Sequence, residues 1–198
     1  VRPNGWIAAG GEYRTPEGVR RVLRVFDPHD NRTILDVDEP GTCSFFSWVG
    51  DTPRLIVKDN TRAWMYNVET RAQTALPFRM IGGGHGWDAV AASPDGSLLA
   101  VSNQEATQVW SASDLTLKTV LNSASPFKAH RLAFSPDGTR LYCLQGARIL
   151  GWDMASGRQV MRARGEHNAS FAPVAVSADG RSIIAGHDDG GLRTWSTD

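Results

Sequence analysis

The tetrapeptide Ser93-Pro94-Asp95-Gly96 recurs twice in the chain, as Ser135-Pro136-Asp137-Gly138 and as Ser177-Ala178-Asp179-Gly180. The copies begin at residues 93, 135 and 177, so consecutive copies are 42 residues apart. A fixed period of this length indicates a repeat architecture, in which each repeat is one supersecondary unit. Asp-Gly between two short apolar runs predicts a tight hairpin, because glycine adopts positive φ without steric cost.

An aromatic marker recurs in phase with this turn. Trp110, Trp152 and Trp195 lie 42 and 43 residues apart, and each ends a short run of alternating apolar and polar residues. Two degenerate copies carry Phe26-Asp27 and Tyr66-Asn67 at the same position. The chain is therefore predicted to hold five repeats, with approximate bounds 1–38, 39–80, 81–123, 124–165 and 166–198.

The fourth repeat shows how each copy is expected to fold. Apolar and polar residues predict strands at 130–134, 139–144, 148–152 and 158–161, separated by turns. Four short antiparallel strands in 40–45 residues are typical of a β-propeller blade. The first repeat lacks its innermost strand and the last its outermost, so we expect about 18 strands in five sheets and no long helix. The incomplete blades also predict self-association, or a longer polypeptide that completes the ring.

Through the turn, the aromatic marker and the repeat length, the whole chain resembles the WD40-repeat family. Trp152-Asp153 is its one literal Trp-Asp pair. The resemblance implies that Trp110, Trp152 and Trp195 are buried between blades. The family's hydrogen-bonded set of His, Ser or Thr, Asp and Trp is approached in the fifth repeat by His167, Asp188 or Asp189, and Trp195, with Ala185 at the Ser position. A TolB-like propeller, whose blades use a similar turn, is the alternative within this architecture.

Composition narrows the classes of function. Lys plus Arg and Asp plus Glu both total 21, so the formal net charge is zero. This balance favours neither nucleic acid nor an anionic membrane as the partner. No apolar run approaches the roughly 20 residues that a membrane span needs. Cys43 and Cys143 lie in apolar, strand-like runs and are expected to be buried free thiols.

The resemblance implies a rigid platform whose loops bind a protein or peptide, since the strands themselves form the core. In the family, the favoured face carries the loops between second and third strands and those that lead into each blade. The candidate contact residues on these loops are Arg14, Asn60, His85, Trp87, Gln104, Gln145, Arg148, His187 and Asp188. Trp87 follows a glycine-rich stretch and is the expected exposed aromatic anchor.

No arrangement of nucleophile, base and orienting group is recognisable, so we expect no catalysis, no cofactor and no metal site. Gly82-Gly83-Gly84-His85-Gly86 lacks the Lys-Ser/Thr and the helix that a phosphate-binding loop needs. His187-Asp188-Asp189-Gly190 lacks the alternating acids of a Ca²⁺ loop. Two alternatives stay open: a propeller linked to a kinase or peptidase domain outside this chain, and a propeller that holds a cofactor through a His ligand.

Overall fold

The computed structural model describes residues 5–38, 45–58, 63–77, 89–102, 106–121, 131–145, 148–164, 174–186 and 189–198. All regular secondary structure within these ranges is β-strand. The strands form five antiparallel sheets, which in chain order have three, four, four, four and three strands. Each sheet falls within one of the five predicted repeats, numbered here 1 to 5. The predicted all-β fold is confirmed, and the described residues form five sheets, of which the first and last have three described strands.

The chain divides into two compact units, of which the first is Val1–Gly86. Its two sheets are meanders, in which consecutive strands pair. Their cores meet where Leu23 and Val25 of repeat 1 pack with Leu55, Val57 and Tyr66 of repeat 2. The strands are β1 (Ile7–Thr15), β2 (Gly18–Asp27) and β3 (Arg32–Asp38) in repeat 1, and β4 (Phe45–Trp48), β5 (Arg54–Lys58), β6 (Ala63–Asn67) and β7 (Gln73–Ala75) in repeat 2.

The second unit, Trp87–Asp198, holds the other three sheets. Repeat 3 contains β8 (Ala89–Ala92), β9 (Leu98–Ser102), β10 (Thr107–Ser111) and β11 (Leu117–Leu121). Repeat 4 contains β12 (Arg131–Phe134), β13 (Arg140–Gln145), β14 (Arg148–Asp153) and β15 (Gln159–Arg164). Repeat 5 contains β16 (Val174–Val176), β17 (Ser182–Gly186) and β18 (Leu192–Ser196).

The residues of strand β13 are almost all buried, which accounts for its nearly continuous apolar sequence. Its residues alternate between two apolar layers: Leu141 and Cys143 pack against repeat 3, whereas Tyr142 and Leu144 pack against repeat 5. A strand covered on both faces needs apolar side chains at every position. The outer strand β15 instead alternates between exposed and half-buried residues from Val160 onward, because it lies at the edge of its sheet.

The marker aromatics are less uniformly buried than expected. Trp152 is buried between repeats 3 and 4 at 2% exposure, as the repeat pattern predicts. The expectation is wrong for Trp110 and Trp195, which are half-buried. Trp195 lies on β18, the edge strand of its sheet, and the indole Nε1 of Trp110 donates to Gln108 Oε1 at 3.2 Å.

The cysteine prediction is tested at one of its two positions. Cys143 is a buried free thiol, as expected. Its burial raises the pKa of the thiol to about 12, so it stays protonated and unreactive at neutral pH. Cys43 lies outside the described residues.

Candidate partner-binding surface

The candidate contact residues are only partly covered by the described ranges. Arg14, Gln145 and Arg148 are described. The remaining candidates, together with the structural His167, lie outside them: Asn60, His85, Trp87, Gln104, His187 and Asp188. For these residues the loop-face assignment stays a prediction.

Arg14 lies near the tip of the β1–β2 hairpin, and its side chain is exposed. It pairs across the hairpin with Val19, which is 51% exposed. Thr15 Oγ1 donates to Gly18 O at 3.1 Å and closes the turn, where Gly18 takes a φ of 138° that favours glycine. The hairpin tip therefore holds Arg14 at the protein surface, where a partner can reach it.

Gln145 and Arg148 lie opposite each other where β13 turns into β14. Arg148 is half-buried, but Gln145 is only 4% exposed. Strand β13 continues through Gln145 and buries its side chain, so its contact with a partner stays a prediction. Arg148 lies at the rim of the sheet.

Repeat 4 has two chemically different ends, called here the loop end and the turn end. The loop end carries the β13–β14 connection and the far end of β15, where Arg148 pairs with Arg164. The turn end carries the β12–β13 and β14–β15 turns, where Arg140 pairs with Asp153. The two acids within 131–164, Asp137 and Asp153, both lie at the turn end.

The turn end is organised by a hydrogen-bond network that repeats in repeats 3, 4 and 5. Ser135 Oγ donates to Asp137 Oδ1 at 2.5 Å and accepts from Arg140 N at 2.9 Å. Asp137 Oδ1 also accepts from Thr139 N at 3.0 Å. The equivalent groups of Ser93 and Asp95, and of Ser177 and Asp179, make the same contacts. The Ser and Asp of the repeated tetrapeptide thus bind each other and the following backbone, a role that the hairpin interpretation missed.

This network changes the acidity of its carboxylates. The Ser135 hydroxyl, followed by the Thr139 backbone and side chain, holds the pKa of Asp137 below its usual range. The Ser93 and Ser177 hydroxyls lower the pKa of Asp95 and Asp179 in the same way. These acids therefore remain charged at neutral pH and are engaged within their own turns.

Adjacent repeats of the second unit also contact each other at their turn ends. A Cβ on Gly138 would lie 3.8 Å from Pro94 Cδ, and a Cβ on Gly180 would lie 3.8 Å from Pro136 Cδ. Arg140 donates to Thr197 O at 3.0 Å, which ties repeat 4 to the end of repeat 5. The turn ends of the second unit are thus occupied by structural contacts.

No protein-family model matches the chain. Among curated proteins it is similar to the small ribosomal subunit protein RACK1y of Oryza sativa subsp. japonica, at 30% identity over 115 residues. The match covers 54% of this chain and 34% of that WD40 β-propeller protein, so the chain spans about one third of its relative's length. The repeated turn, the aromatic marker and the antiparallel sheets of this chain are similar to those of WD40 repeats.

The residue directly after each marker aromatic forms a hydrogen bond within the turn that follows it. In four repeats its side-chain oxygen accepts a backbone N–H from two or three residues further on, and the accepting residues are Asp27, Asn67, Asp153 and Ser196. In repeat 3, Ser111 Oγ instead hydrogen-bonds with Ser113 Oγ at 3.0 Å. Asp, Asn and Ser all supply such an oxygen, which explains why the WD40 marker varies among them here.

The described residues were also considered as possible metal ligands and as possible membrane-spanning segments. Within those ranges, no group of three or more His, Cys, Asp or Glu side chains is placed to hold a metal ion. Nor does the described part of the chain include a helix long and apolar enough to span a membrane.

Proposed function

We propose that this WD40 chain is a non-catalytic scaffold that binds a protein or peptide, and that the loop end of repeat 4 accepts an acidic segment of the partner. The similarity to RACK1y, which is named as a protein of the small ribosomal subunit, supports a role within protein assemblies. In the described residues, buried positions are mainly apolar and serve the core. Binding by surface positions is therefore the role that this fold supports best.

The observation that carries the proposal is the segregation of charge in repeat 4. Residues 131–164 contain six arginines and two acids. Arg140 and Arg158 lie at the turn end with both acids, so that end is formally neutral. The loop end keeps the other four arginines, Arg131, Arg148, Arg162 and Arg164, and hence a formal charge of +4.

The register brings three of these arginines onto one face. Arg148 lies directly opposite Arg164, and Arg162 is two residues away on the same strand. Arg162 and Arg164 are both exposed, so their guanidinium groups can reach the carboxylates of an acidic partner. Arg131 adds to the effect, because burial lowers the pKa of its guanidinium and a partly desolvated cation interacts more strongly with a carboxylate.

The test is a binding titration with a fluorescent, glutamate-rich peptide. Arg162→Glu combined with Arg164→Glu should weaken binding roughly tenfold, since each rim charge contributes about 0.2–1 kcal/mol. Arg158→Glu, an equal charge change at the turn end, should alter the affinity by less than about twofold. Equal effects of both changes, or tighter binding of a short RNA than of the peptide, would contradict the proposal.

Self-association through repeat 5 is a second proposal, carried by its outward face. Ile184 and Leu192 are 37% and 77% exposed there. Their equivalents in repeat 4, Tyr142 and Ile149, are both 1% exposed because repeat 5 covers them. Sedimentation should show dimers or larger species that Ile184→Lys with Leu192→Lys disperses. A monomer at all concentrations would contradict this second proposal.

A further inference from the structure

Strand β15 forms the outer edge of the sheet in repeat 4. The strands of that sheet follow the order β12-β13-β14-β15, and four is the number of strands that is typical of a propeller blade. The edge therefore belongs to a four-stranded sheet and does not mark the place of a missing strand. The backbone N–H and C=O groups along an edge strand can pair with another extended segment.

The two faces of β15 differ in chemistry. Met161 and Ala163 are half-buried and pack against the apolar cluster that repeat 4 shares with repeat 5. Val160, Arg162 and Arg164 are exposed, and the exposed fraction of Val160 is 53%. Because successive side chains of a strand point to opposite faces, Arg162 and Arg164 present two cations on one face, at the spacing of every second residue.

The arginine at position 162 is a property of this repeat and not of the fold. It lies opposite Leu150, which is two residues before the marker aromatic Trp152. The equivalent edge positions of repeats 1, 2 and 3 hold Asp36, Ala75 and Val120. Edge strands thus form with an anionic, a small, an apolar or a cationic residue at this position, so the sheet itself does not require Arg162.

The charge at this edge position is paired in repeat 1 but not in repeat 4. Arg24 Nη2 donates to Asp36 Oδ2 at 2.5 Å, across β2 and β3. No ion pair among the described residues includes Arg162 or Arg164. Pairing of β15 with β15 of another copy would bring these like charges together, which opposes it. The edge therefore favours a strand that carries negative charge.

We propose that β15 binds one extended acidic segment of a partner polypeptide, which pairs antiparallel with its outer edge and places carboxylates opposite Arg164 and Arg162. This inference rests on the proposed function and adds the conformation, direction and spacing of the bound segment. Backbone hydrogen bonds supply affinity and the two charge pairs supply specificity, as in other cases of strand addition. The direction follows the sheet of repeat 4, in which every strand pair is antiparallel.

The experiment uses the full chain and a fluorescent peptide with blocked ends, Thr-Thr-Glu-Thr-Glu-Thr-Thr, in which threonine favours the extended conformation. We expect saturable binding, with slower hydrogen exchange at the amides of residues 159–164. Arg162→Glu should weaken binding roughly fivefold, because an attractive cross-strand pair becomes a repulsive one. Lys118→Glu is the matched control, since it makes the same charge change on β11, the edge strand of repeat 3. It should alter the affinity by less than about twofold.

An exchange of charges between chain and peptide tests the direction and register of the bound strand. In the antiparallel arrangement, the first glutamate lies opposite Arg164 and the second lies opposite Arg162. Lysine in place of the second glutamate should therefore restore binding to the Arg162→Glu chain, whereas lysine in place of the first should weaken it further. The Arg164→Glu chain should show the reverse preference. Equal rescue by lysine at either position would overturn the inference, because a diffuse attraction would then explain the binding.

Backbone methylation of the peptide separates this inference from the proposed function. Methyl groups on the peptide nitrogens remove strand hydrogen bonds but keep both carboxylates, so the methylated peptide should lose its saturable binding. Equal affinity of the methylated and unmethylated peptides would overturn strand addition and leave the binding of an acidic segment intact. If neither this peptide nor the glutamate-rich peptide binds the folded chain, the inference and the proposed function both fail. Chain dimers that Asp36→Lys abolishes would also overturn the inference, since β3 of a second copy would then be the occupant.

Discussion

The hairpin between the first and second strands is built with different side chains in the two units. In repeat 4, Ser135 N donates to Arg140 O at 2.9 Å, and Ser135 Oγ accepts from Arg140 N at 2.9 Å. In repeat 2, Val49 N donates to Arg54 O at 3.0 Å, but no hydroxyl stands at that position. Thr52 Oγ1 instead donates to Val49 O at 2.5 Å and lies 3.4 Å from Arg54 N.

Backbone hydrogen bonds close the hairpin in both units, whereas side-chain hydrogen bonds reinforce it differently in each. The backbone hydrogen bond is present in both units, so strand pairing alone is enough to form the turn. The Ser and Asp side chains add contacts in repeats 3 to 5, and they leave a clear sequence signature there. The first unit forms its sheets without this Ser-Asp signature, which is why its repeats look degenerate in sequence.

The largest effect is expected from Gly151→Ala, which compares a strand inside the sheet of repeat 4 with β1, the edge strand of the described sheet of repeat 1. A Cβ on Gly151 would lie 2.9 Å from Tyr142 Cδ1 and Cε1 and 3.0 Å from Met161 Cβ. Since Tyr142 is buried, its ring cannot move aside, and overpacking should destabilise the unit by about 1–3 kcal/mol. Urea unfolding measures the change.

Gly11→Ala is the control for that substitution. Gly11 lies on β1, and no atom of the described residues lies within 4 Å of a Cβ built there. The change should be neutral or slightly stabilising, because alanine reduces the freedom of the unfolded chain. A loss at Gly11 as large as that at Gly151 would remove the distinction between the two sheets.

Ser135→Ala and Thr52→Ala test the two hairpins directly. Ser135 Oγ is buried and bonds with Asp137, Arg140 N and Arg140 O, so its removal should cost about 1–2 kcal/mol. Thr52 Oγ1 makes one short hydrogen bond, to Val49 O, and a longer one with Arg54 N. Removal of this hydroxyl should therefore lower the free energy of unfolding by about 0.5–1 kcal/mol. Equal losses in urea unfolding would show that the two turns are energetically alike.

Acid should weaken the second unit through its turn carboxylates. Hydrogen bonds from the Ser111 and Thr116 side chains and the Thr116 backbone lower the pKa of Asp114 from 3.8 to about 2. A carboxyl whose pKa is depressed in the folded state contributes stability above pH 3.8, and that contribution disappears as the pH falls toward 2. The acids of the Ser-Asp turns shift in the same direction.

The check is a carboxyl titration by nuclear magnetic resonance. Thr116→Val should raise the pKa of Asp114, because one hydroxyl donor to its carboxylate is lost. Asp114→Asn should flatten the decline in stability between pH 4 and pH 2. An unchanged Asp114 titration in the Thr116→Val chain would contradict this account of the turn.

The smallest effects are expected at the turns between third and fourth strands. Arg71, Leu115 and Gly157 occupy equivalent positions with φ of 60°, 56° and 67°. Only one of the three is glycine, although all three have the left-handed backbone. Arg71→Gly should therefore stabilise the first unit by about 0.5–1 kcal/mol, and Gly157→Ala should destabilise the second by a similar amount. Thermal unfolding that shifts both in the same direction would contradict the strain argument.

The sequence allowed the five sheets to be predicted because each hairpin is local, and local turn chemistry repeats every 42 residues. The incomplete burial of Trp110 and Trp195 could not be predicted, since burial depends on which strands lie beside each ring. The burial of Gln145 at the end of β13 could not be predicted either, because the end of a strand and the start of a loop look alike in sequence. The charge segregation of repeat 4 became visible only when the register paired Arg148 with Arg164.

The central claim is that one end of repeat 4 binds and the other end serves the fold. Hydrogen-exchange footprinting of the chain with the glutamate-rich peptide bound tests it most directly. The account predicts slower exchange at the loop end, around Arg148 and Arg162–Arg164, and unchanged exchange in the turns at 135–140 and 153–158. Protection confined to those turns would contradict the account.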